Sequence, residues 1–418
     1  MEKLDVVGGK KLSGHIKISG SKNSSLPILA ATLLSNKRIR ISNLPKVKDI
    51  DTMLLLLKYL GSTIKILKNN NTVQIKNSKK IKTLAPYNLV KKMRAGILVL
   101  GPLLARFGKA KVSLPGGCAI GTRPVDIHLK SLSKLGVKYK NIKGYIHAYA
   151  NKGLIGAKIK FPKISVGATE NLIIAACLAK GNTILQNCAI EPEINDLINF
   201  LNKMGCEIKW IKKRTIMIKG VNKLNSLSYK IMPDRIEAGT YMVAAAVTKG
   251  NLTIGNINTK IIDTEIKILK KIGAKIKIKQ NEINIKGTNK IKNINLKTAP
   301  YPGFPTDLQA QMMVLLCMAK GKSKICEKIF ENRFMHVSEL NRMGAKIKIK
   351  GNTAFIEGNI KFEGTELIAT DLRASVSLIL AALTSKSRSR INRIYHLDRG
   401  YEKIEKKLSQ VGAKIKRV

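Results

Sequence analysis

One segment of the chain, residues 114–124, combines residue types that favour reactive chemistry over packing. It reads LPGGCAIGTRP, so Cys118 stands among three glycines and two prolines, five residues before Arg123. Glycine and proline disfavour the interior of a helix or strand, so we expect Cys118 to lie on a loop. A thiol near a permanent cation is favoured as a thiolate or as a proton donor. The segment therefore predicts a chemical role for Cys118, against the ordinary alternative of a packed small hydrophobe.

Polar segments also precede four apolar stretches that have the composition of buried helices. These segments are Gly20-Ser21-Lys22-Asn23, Lys163-Ile164-Ser165-Val166-Gly167, Pro305-Thr306-Asp307 and Thr370-Asp371-Leu372-Arg373. Helix N-termini present free amides and a positive dipole end, which favours anion binding. The alternative is ordinary N-capping by Ser, Thr and Asp. Capping leaves Lys22, Lys163 and Arg373 unexplained, because cations oppose the dipole at this end.

Three more arginines stand in marked contexts. Arg94, Arg333 and Arg399 occur in a chain whose usual cation is lysine. An arginine fork suits carboxylate or phosphate, whereas a solvated surface arginine is the alternative interpretation. His336 and His396 fit a structural role, and no Ser-His-Asp spacing is present.

Composition limits the class of protein. The 418 residues include 77 Lys and Arg against 26 Asp and Glu, a net charge of +51. Such charge is typical of nucleic-acid binding, but the lysines are spread along the chain with an excess of Ile and Asn. These residues have AT-rich codons, so biased base composition explains the charge equally well. We therefore expect no specific nucleic-acid partner.

The cysteines and apolar segments make further predictions about the environment. The six cysteines form no C-x-x-C pair and no zinc-finger spacing with histidine, which predicts no metal site. The start of the chain has no signal-like apolar run, and the longest apolar stretch, 95–105, is too short to span a bilayer. We expect a reduced, cytoplasmic protein without membrane insertion.

A sixfold repeat organises the chain. A helix-like segment, a hydrophobic residue plus glycine, and an alternating strand recur at glycines 68 to 75 residues apart: Gly61, Gly136, Gly205, Gly273, Gly344 and Gly412. Glycine supplies the left-handed turn that ends a helix, and alternation predicts a half-buried strand. Each repeat also contains a more apolar, buried helix, at about 24–34, 93–105, 168–179, 237–247, 308–319 and 374–383. Six such units exceed one core, so we expect two α/β domains of three units each, with a six-repeat solenoid as the alternative.

From about Val6 to the C-terminus, the chain resembles the enolpyruvyltransferases that act on UDP-N-acetylglucosamine, in the EPSP synthase-like family. The motifs that carry this resemblance are SKN at 21–23, PGGC at 115–118, GTRPVD at 121–126, SVGAT at 165–169, PDRIE at 233–237, FPTD at 304–307, ENRF at 331–334, TDLRA at 370–374 and DRGY at 398–401.

The resemblance implies a fold and a division of the chain. It implies two inside-out α/β barrel domains, each of three repeated units of about 70 residues. Because the first strand joins the C-terminal half in that family, we expect domains at 21–229 and at 1–20 with 230–418. The active site would lie in the cleft between them, and the cleft would close to assemble it.

The resemblance also implies a reaction and its catalytic residues. The enolpyruvyl group of phosphoenolpyruvate moves to the 3′-hydroxyl of UDP-N-acetylglucosamine with release of phosphate, the first committed step of peptidoglycan synthesis. Cys118 would protonate the methylene carbon and is the residue that fosfomycin alkylates in this family. Asp307 would contact the sugar hydroxyl as a base, and Lys22 and Arg399 complete the catalytic set.

The family's binding residues carry over to matching positions. The phosphoenolpyruvate set is Lys22, Asn23, Arg123, Arg373 and Arg399. The UDP-N-acetylglucosamine set is Asn23, Arg94, Arg123, Pro124, Val125, Asp126, Ile127, Lys163, Ser165, Val166, Gly167, Asp307 and Ile329. Arg333 and Asp371 complete the charged lining. The resemblance implies no cofactor and favours a monomer. The alternatives are the sister reaction on shikimate 3-phosphate, a nucleic-acid-binding protein and an inactive repeat scaffold.

Overall fold

The computed structural model describes residues 2–67, 71–115 and 125–418, which form a mixed α/β fold. The described residues divide into two compact units. Unit I comprises residues 20–115 and 125–232, and unit II comprises residues 2–19 and 233–418. Each unit has its own aliphatic core, built mainly from Ile, Leu, Val and Ala. The scarcity of aromatic residues in the sequence is thus reflected in both cores.

The α-helices of the described residues are α1 (Lys22–Ala31), α2 (Lys48–Leu60), α3 (Tyr87–Val90), α4 (Leu100–Phe107), α5 (Asp126–Lys134), α6 (Val166–Ala176), α7 (Pro192–Lys203), α8 (Arg235–Val247), α9 (Asp263–Ile272), α10 (Gln309–Cys317), α11 (Val337–Arg342), α12 (Leu372–Ala382) and α13 (Ile404–Gln410). Short 3-10 turns occupy Thr32–Leu34, Arg94–Val99, Thr259–Ile262, Thr306–Leu308 and Ile394–Arg399. Within the residues described, every helix is too short or too polar to cross a bilayer.

The strands are β1 (Leu4–Val7), β2 (Ser13–Lys17), β3 (Arg38–Ser42), β4 (Ser62–Leu67), β5 (Thr72–Asn77), β6 (Leu84–Ala85), β7 (Lys109–Ser113), β8 (Lys138–Ile142), β9 (Tyr145–Tyr149), β10 (Lys158–Lys160), β11 (Asn182–Gln186), β12 (Glu207–Lys212), β13 (Thr215–Lys219), β14 (Leu227–Lys230), β15 (Asn251–Gly255), β16 (Lys275–Lys279), β17 (Glu282–Lys286), β18 (Asn295–Lys297), β19 (Lys322–Cys326), β20 (Lys346–Lys350), β21 (Thr353–Glu357), β22 (Glu366–Ile368), β23 (Arg388–Asn392) and β24 (Lys414–Arg417).

These strands form six four-stranded sheets with one shared pattern. Read across each sheet, the first two strands are parallel and the remaining two pairings are antiparallel. Unit I holds β14-β3-β5-β4, β6-β7-β9-β8 and β10-β11-β13-β12. Unit II holds β2-β15-β17-β16, β18-β19-β21-β20 and β22-β23-β1-β24. We refer below to the first sheet of unit I as the β3 sheet and to the last sheet of unit II as the β23 sheet.

The predicted repeat is confirmed by the backbone. The six repeat glycines all have positive φ, between +92° and +114°, and each follows a helix and precedes a strand. An L-residue with a β-carbon is disfavoured in this region, so glycine is required for the turn. The helices before these glycines are α2, α5, α7, α9, α11 and α13, each with buried and exposed faces.

The predicted apolar helices are also confirmed, with one correction. In unit II, α8, α10 and α12 pack against one another, and in unit I α1 and α4 both pack against α6. The segment predicted as a helix over 93–105 instead begins with the 3-10 turn Arg94–Val99, and α4 starts only at Leu100. Pro102 explains this, because it has no amide hydrogen to donate to the Leu98 carbonyl and its ring crowds that carbonyl.

Candidate active site

Asp307 is held between two arginines of unit II. Its Oδ1 accepts a hydrogen bond from Arg333 Nη2 at 2.8 Å, and its Oδ2 accepts one from Arg373 Nη2 at 2.8 Å. Both arginine side chains are 5% exposed, whereas that of Asp307 is 25% exposed. Charge-assisted bonds of this length are the stronger class, and they fix the carboxylate plane. Asp307 is therefore a carboxylate acceptor oriented by two guanidiniums and still partly exposed to solvent.

Arg373 is placed by the start of α12. The Asp371 side chain accepts hydrogen bonds from the backbone N–H of Arg373 at 2.7 Å and of Ala374 at 3.1 Å. Asp371 is thus the N-cap of α12, which confirms the capping interpretation for this residue. Burial acts to lower the pKa of Arg373, but the nearby charges of Asp307 and Asp234 and the hydrogen bond to Asp307 outweigh it and raise that pKa above its ordinary value. The guanidinium therefore stays protonated in the protein interior.

A polar network next to Asp307 and Arg373 was not predicted from the sequence. Gln311 Nε2 donates to the Asp307 carbonyl at 3.0 Å and to the Tyr401 hydroxyl at 3.2 Å. The Tyr401 hydroxyl also lies 2.9 Å from Thr240 Oγ1, and the Arg373 guanidinium lies over the Tyr401 ring at 5.4 Å. The available signal was Gln311 itself, one of two glutamines, with Gln309, in an otherwise apolar helix. The network joins α8, α10, α12 and the DRGY segment under Asp307.

Glu327 is a second residue that the sequence interpretation missed. Its side chain is buried, and its Oε2 accepts from Thr306 Oγ1 at 2.8 Å, next to Asp307. Its Oε1 accepts from Ile329 N at 2.7 Å, Phe330 N at 3.2 Å and Thr298 Oγ1 at 2.8 Å. One carboxylate therefore fixes both the turn that carries Asp307 and the loop that carries Ile329. Fully bonded buried carboxylates of this kind hold local geometry tightly.

His336 lies behind Arg333 and gives this region a pH dependence. It is 1% exposed, and burial together with the charge of Arg333 lowers its pKa to about 4, against the opposing effect of Asp371. The ring is therefore neutral in the folded protein at pH 7, and its Nε2 has no hydrogen-bond partner among the described residues. Because burial disfavours the protonated imidazole, the folded protein loses stability at any pH at which the unfolded chain binds this proton.

We expect the protein to lose stability as the pH falls from about 6.5 towards 4. In this window the unfolded chain binds a proton at His336 that the folded chain excludes, so unfolding is favoured by up to about 1.4 kcal/mol per pH unit. Denaturant unfolding between pH 4 and 8 measures this slope for the wild type and for His336→Asn. The variant should show a shallower slope. Equal slopes would contradict the assignment to His336.

In unit I, Lys22 is held by a carboxylate. Its Nζ donates to Asp49 Oδ2 at 3.3 Å, and both side chains are almost fully buried. Lys22 starts α1, Asp49 lies in the first turn of α2, and Ser21 caps α1 by accepting from Ser24 N at 3.2 Å. The ion pair explains how a cation is retained at a helix N-terminus despite the dipole. Asp49 had not been predicted from the sequence.

Other predicted residues of unit I cluster around α1, α5 and α6. The 3-10 turn that begins at Arg94 packs against α1, whose second residue is Asn23, and α5 packs against α6. Ser165 caps α6 by accepting from Ala168 N at 3.3 Å, which again confirms capping. A β-carbon on Gly167 would lie 3.3 Å from the His128 ring, so this helix start and α5 are in close contact.

The remaining predicted positions differ in exposure. Lys163 and Val166 are exposed, Val125 and Ile127 are buried, and Asp126 pairs with Lys130 at 4.0 Å on the surface of α5. Arg399 ends the 3-10 turn Ile394–Arg399 in unit II and is half-buried. The predictions for Cys118, Arg123 and Pro124 lie outside the described residues. In the part of the chain that is described, no three His, Cys, Asp or Glu side chains come close enough to hold a metal ion.

The described arrangement provides ordered cations in both units and, in unit II, a fixed carboxylate. Asp307 can accept a hydrogen bond or proton from a hydroxyl, and the guanidiniums beside it can stabilise negative charge that develops in a reaction.

Comparison with known proteins places this arrangement in a family. Residues 6–408 match the family model EPSP synthase (3-phosphoshikimate 1-carboxyvinyltransferase). A UDP-N-acetylglucosamine 1-carboxyvinyltransferase of Pelagibacter ubique (strain HTCC1062) is 74% identical over 418 residues, covering 100% of both chains. One of Geotalea uraniireducens (strain Rf4) is 53% identical over 418 residues, again covering 100% of both chains. The crystal structure of the enolpyruvyl transferase NikO from Streptomyces tendae has the same fold, with a TM-score of 0.90, 23% identity, and coverage of 100% of this chain and 99% of that one. The chain therefore belongs to the EPSP synthase family and, within it, to the UDP-N-acetylglucosamine 1-carboxyvinyltransferases.

Proposed function

We propose that the protein transfers the enolpyruvyl group of phosphoenolpyruvate to the 3′-hydroxyl of UDP-N-acetylglucosamine and releases phosphate. The observation that carries this proposal is the 74% identity over the full length of a relative named for that activity. The carboxylate of Asp307, fixed by Arg333 and Arg373, fits the chemistry. Shikimate 3-phosphate is the second candidate acceptor, because the matching family model carries the name of that transferase.

The reaction requires a proton to leave the sugar hydroxyl and another to reach the methylene carbon. In our proposal Asp307 accepts the hydroxyl proton, or orients it, while the oxygen attacks the neighbouring carbon. Cys118 supplies the proton to the methylene group, giving a tetrahedral intermediate with a new methyl group. Loss of phosphate, together with a proton from that methyl group, then restores the carbon–carbon double bond of the enolpyruvyl product. Proton transfer by a positioned group of this kind typically contributes about 100- to 10,000-fold. No metal is required by this route, since cations of the chain neutralise the anions.

The binding roles follow the same proposal. Lys22, Asn23, Arg123, Arg373 and Arg399 hold the phosphate and carboxylate of phosphoenolpyruvate. The starts of α5 and α6, with Lys163, Arg94, Asp307 and Ile329, hold the sugar nucleotide. Lys22 is already paired with Asp49, so its side chain is ordered before substrate arrives. Pre-ordering reduces the entropy that binding must remove.

We extend the proposal to the architecture and the cellular role. Each unit combines three sheets with three buried helices, which all pack against one another in unit II and meet through α6 in unit I, and this supports the description as two inside-out α/β barrels. The domain limits 21–229 and 1–20 with 230–418, and a shared active site that closes around the substrates, remain predictions. The monomeric state, the cytoplasmic location, the sensitivity to fosfomycin and the links to cell-wall synthesis, cell shape and cell division are predictions as well.

A coupled phosphate-release assay tests the function directly. The purified protein is incubated with phosphoenolpyruvate and either UDP-N-acetylglucosamine or shikimate 3-phosphate, and the released phosphate is followed. We expect rapid release only with the sugar nucleotide. Release with shikimate 3-phosphate alone would favour the second candidate, and release with neither acceptor would contradict both.

The bonds of Glu327 predict separable kinetic effects. Thr306→Val removes the hydroxyl that ties Glu327 to the Asp307 turn, and Thr298→Val removes the hydroxyl on the Ile329 side. A hydrogen bond to a charged group contributes about 1.5 kcal/mol or more, roughly tenfold in rate. We therefore expect Thr306→Val to lower kcat about tenfold, and Thr298→Val chiefly to raise KM for UDP-N-acetylglucosamine.

The two threonine variants serve as controls for each other, since each removes one hydroxyl from the same carboxylate. Glu327→Gln can keep the Oε1 contacts to Ile329 N and Phe330 N and should retain more activity than Glu327→Ala. Identical kinetic changes in both threonine variants would show that Glu327 acts only through general stability. Unchanged kcat in Thr306→Val would remove its positioning role.

A further inference from the structure

Two sheets carry a pair of arginines at matching positions. In only one of these sheets do the neighbouring strands place carboxylates beside the arginines. The second strand of the β3 sheet begins Arg38-Ile39-Arg40, and the second strand of the β23 sheet begins Arg388-Ser389-Arg390. Both sheets have the same strand order and directions, so Arg40 corresponds to Arg390. Among the sheets of the described chain, the other four have no arginine at these positions.

In the β23 sheet the arginines are neutralised by their neighbours. Arg390 lies between Glu366 on β22 and Asp5 on β1 in the strand register. Asp5 Oδ1 accepts from Arg390 Nε at 2.8 Å and Oδ2 from Arg390 Nη2 at 3.1 Å, and Asp5 also pairs with Arg388. The hydrogen bond from Arg390 is the main cause that lowers the pKa of Asp5 to about 2. This arginine pair therefore holds an oxyanion between its two guanidiniums.

In the β3 sheet both carboxylates are replaced by neutral residues. Ser228 on β14 takes the register position of Glu366, and Gln74 on β5 takes that of Asp5. The next residue across the sheet is basic in both cases, Lys65 here and Lys416 there. The row through Arg390 is therefore balanced, with two acids and two bases, whereas the row through Arg40 carries two positive charges.

A cavity that is open to solvent lies over this unbalanced row. It has a volume of about 1060 Å³ and is lined by Arg38, Arg40, Gln74 and Ser228, together with other polar residues. Its cations are Lys37, Arg38, Arg40, Lys76 and Lys79, and its lining contains no acidic residue. Several arginines of the described chain form ion pairs with carboxylates, but Arg38 and Arg40 are not among them. Five cations without an acid make a site for an anion with several charges.

We propose that this cavity binds a small oligophosphate anion. Its phosphate oxygens would lie between Arg38 and Arg40, at the position equivalent to that of the Asp5 carboxylate between Arg388 and Arg390 in the β23 sheet. A guanidinium fork matches the spacing of phosphate oxygens as it matches a carboxylate. Five cations favour more than one phosphate, and the volume exceeds what a single phosphate needs. All of these residues lie in unit I and none belongs to the proposed transfer site, so this inference is independent of the proposed function.

Calorimetric titration with sodium tripolyphosphate tests the site at about 0.15 M ionic strength, where weak surface attraction is screened. The key variant is Gln74→Asp with Ser228→Glu, which rebuilds the balanced row of the β23 sheet. We expect the wild type to bind tripolyphosphate at one more site than this variant, or at least tenfold more tightly there. Arg40→Gln should produce the same loss.

Two further proteins complete the experiment. Lys275→Gln with Lys277→Gln changes the net charge by the same two units on the exposed strand β16, and it should bind as the wild type does. Asp5→Gln with Glu366→Ser should gain a tripolyphosphate site in the β23 sheet. Identical isotherms for the wild type and the Gln74→Asp/Ser228→Glu protein would overturn the proposal, as would an equal loss in the β16 control.

A single-stranded oligonucleotide provides the last comparison, because nucleic acids carry the same phosphate chemistry. We expect the Gln74→Asp/Ser228→Glu protein to lose tripolyphosphate binding more than oligonucleotide binding. A loss confined to the oligonucleotide would overturn the assignment to a small anion.

Discussion

Replacing Asp307 with asparagine is expected to lower kcat by about 100-fold or more. The amide cannot accept the hydroxyl proton, and a positioned base typically contributes at least this factor. The amide also presents an N–H group to one of the two guanidiniums, Arg333 or Arg373, that now donate to the carboxylate. Asp307→Ala would leave both cations buried without their partner, which costs about 3 to 5 kcal/mol of stability. Steady-state kinetics and denaturant unfolding of both variants measure the two effects.

Asp5→Asn is the matched control for this prediction. Asp5 is also a carboxylate between two arginines of unit II, but it lies in the β23 sheet and has no proposed part in the reaction. We expect the Asp5 variant to lose stability while keeping kcat near the wild-type value. If Asp307→Asn kept wild-type kcat, the proposed role of Asp307 would be wrong, whatever its effect on stability.

Replacing Cys118 with alanine is expected to abolish turnover, because no proton donor for the methylene group would remain. Removal of a general acid typically costs about 100- to 10,000-fold in rate. Cys118→Asp should retain part of the activity, since a carboxylic acid can also deliver a proton. Phosphate release from phosphoenolpyruvate with UDP-N-acetylglucosamine measures both variants. Full activity in the alanine variant would remove Cys118 from the mechanism.

Fosfomycin provides a second readout for Cys118 with internal controls. Burial raises the pKa of Cys188 and of Cys317 to about 12, and that of Cys177 well above its usual range, so these thiols are poor nucleophiles. Among the described cysteines, Cys326 is half-buried and the others are buried, so Cys326 is the more demanding control for selective alkylation. Peptide mass spectrometry should place the adduct on Cys118 and leave Cys118→Asp unmodified. An adduct on Cys326 would contradict the assignment.

Features set by neighbouring residues were predictable from the sequence. The helix-ending glycines, such as Gly61 and Gly412, have positive φ. They could be recognised in the sequence because an alternating strand follows them. The buried helices were equally clear because they are apolar on all sides. Capping by Ser165 and Asp371 was one of two interpretations, and the hydrogen bonds of the structure establish it.

Contacts between distant residues could not be obtained in this way. Arg373 reaches Asp307 across 66 positions, and Lys22 reaches Asp49 across 27. Glu327 was overlooked because a glutamate after a strand has no local mark of burial, and its partners Thr298 and Thr306 come from an earlier loop. The family motifs supplied the identities of Asp307 and Arg373, but not the geometry that joins them.

The order of the strands along the chain has a consequence for synthesis on the ribosome. The strands of unit I all lie between β3 and β14 in the chain, so its sheets can be completed once β14 has emerged. Strands β1 and β2 are made first, yet β1 pairs with β23 and β24, and β2 pairs with β15. The N-terminal strands must therefore wait, unpaired, while more than half of the polypeptide is translated. Unpaired strands are open to aggregation during this interval. Lys3, Lys10 and Lys11 flank these two strands and Lys17 ends β2, and charged side chains of this kind disfavour pairing of a strand edge with another chain.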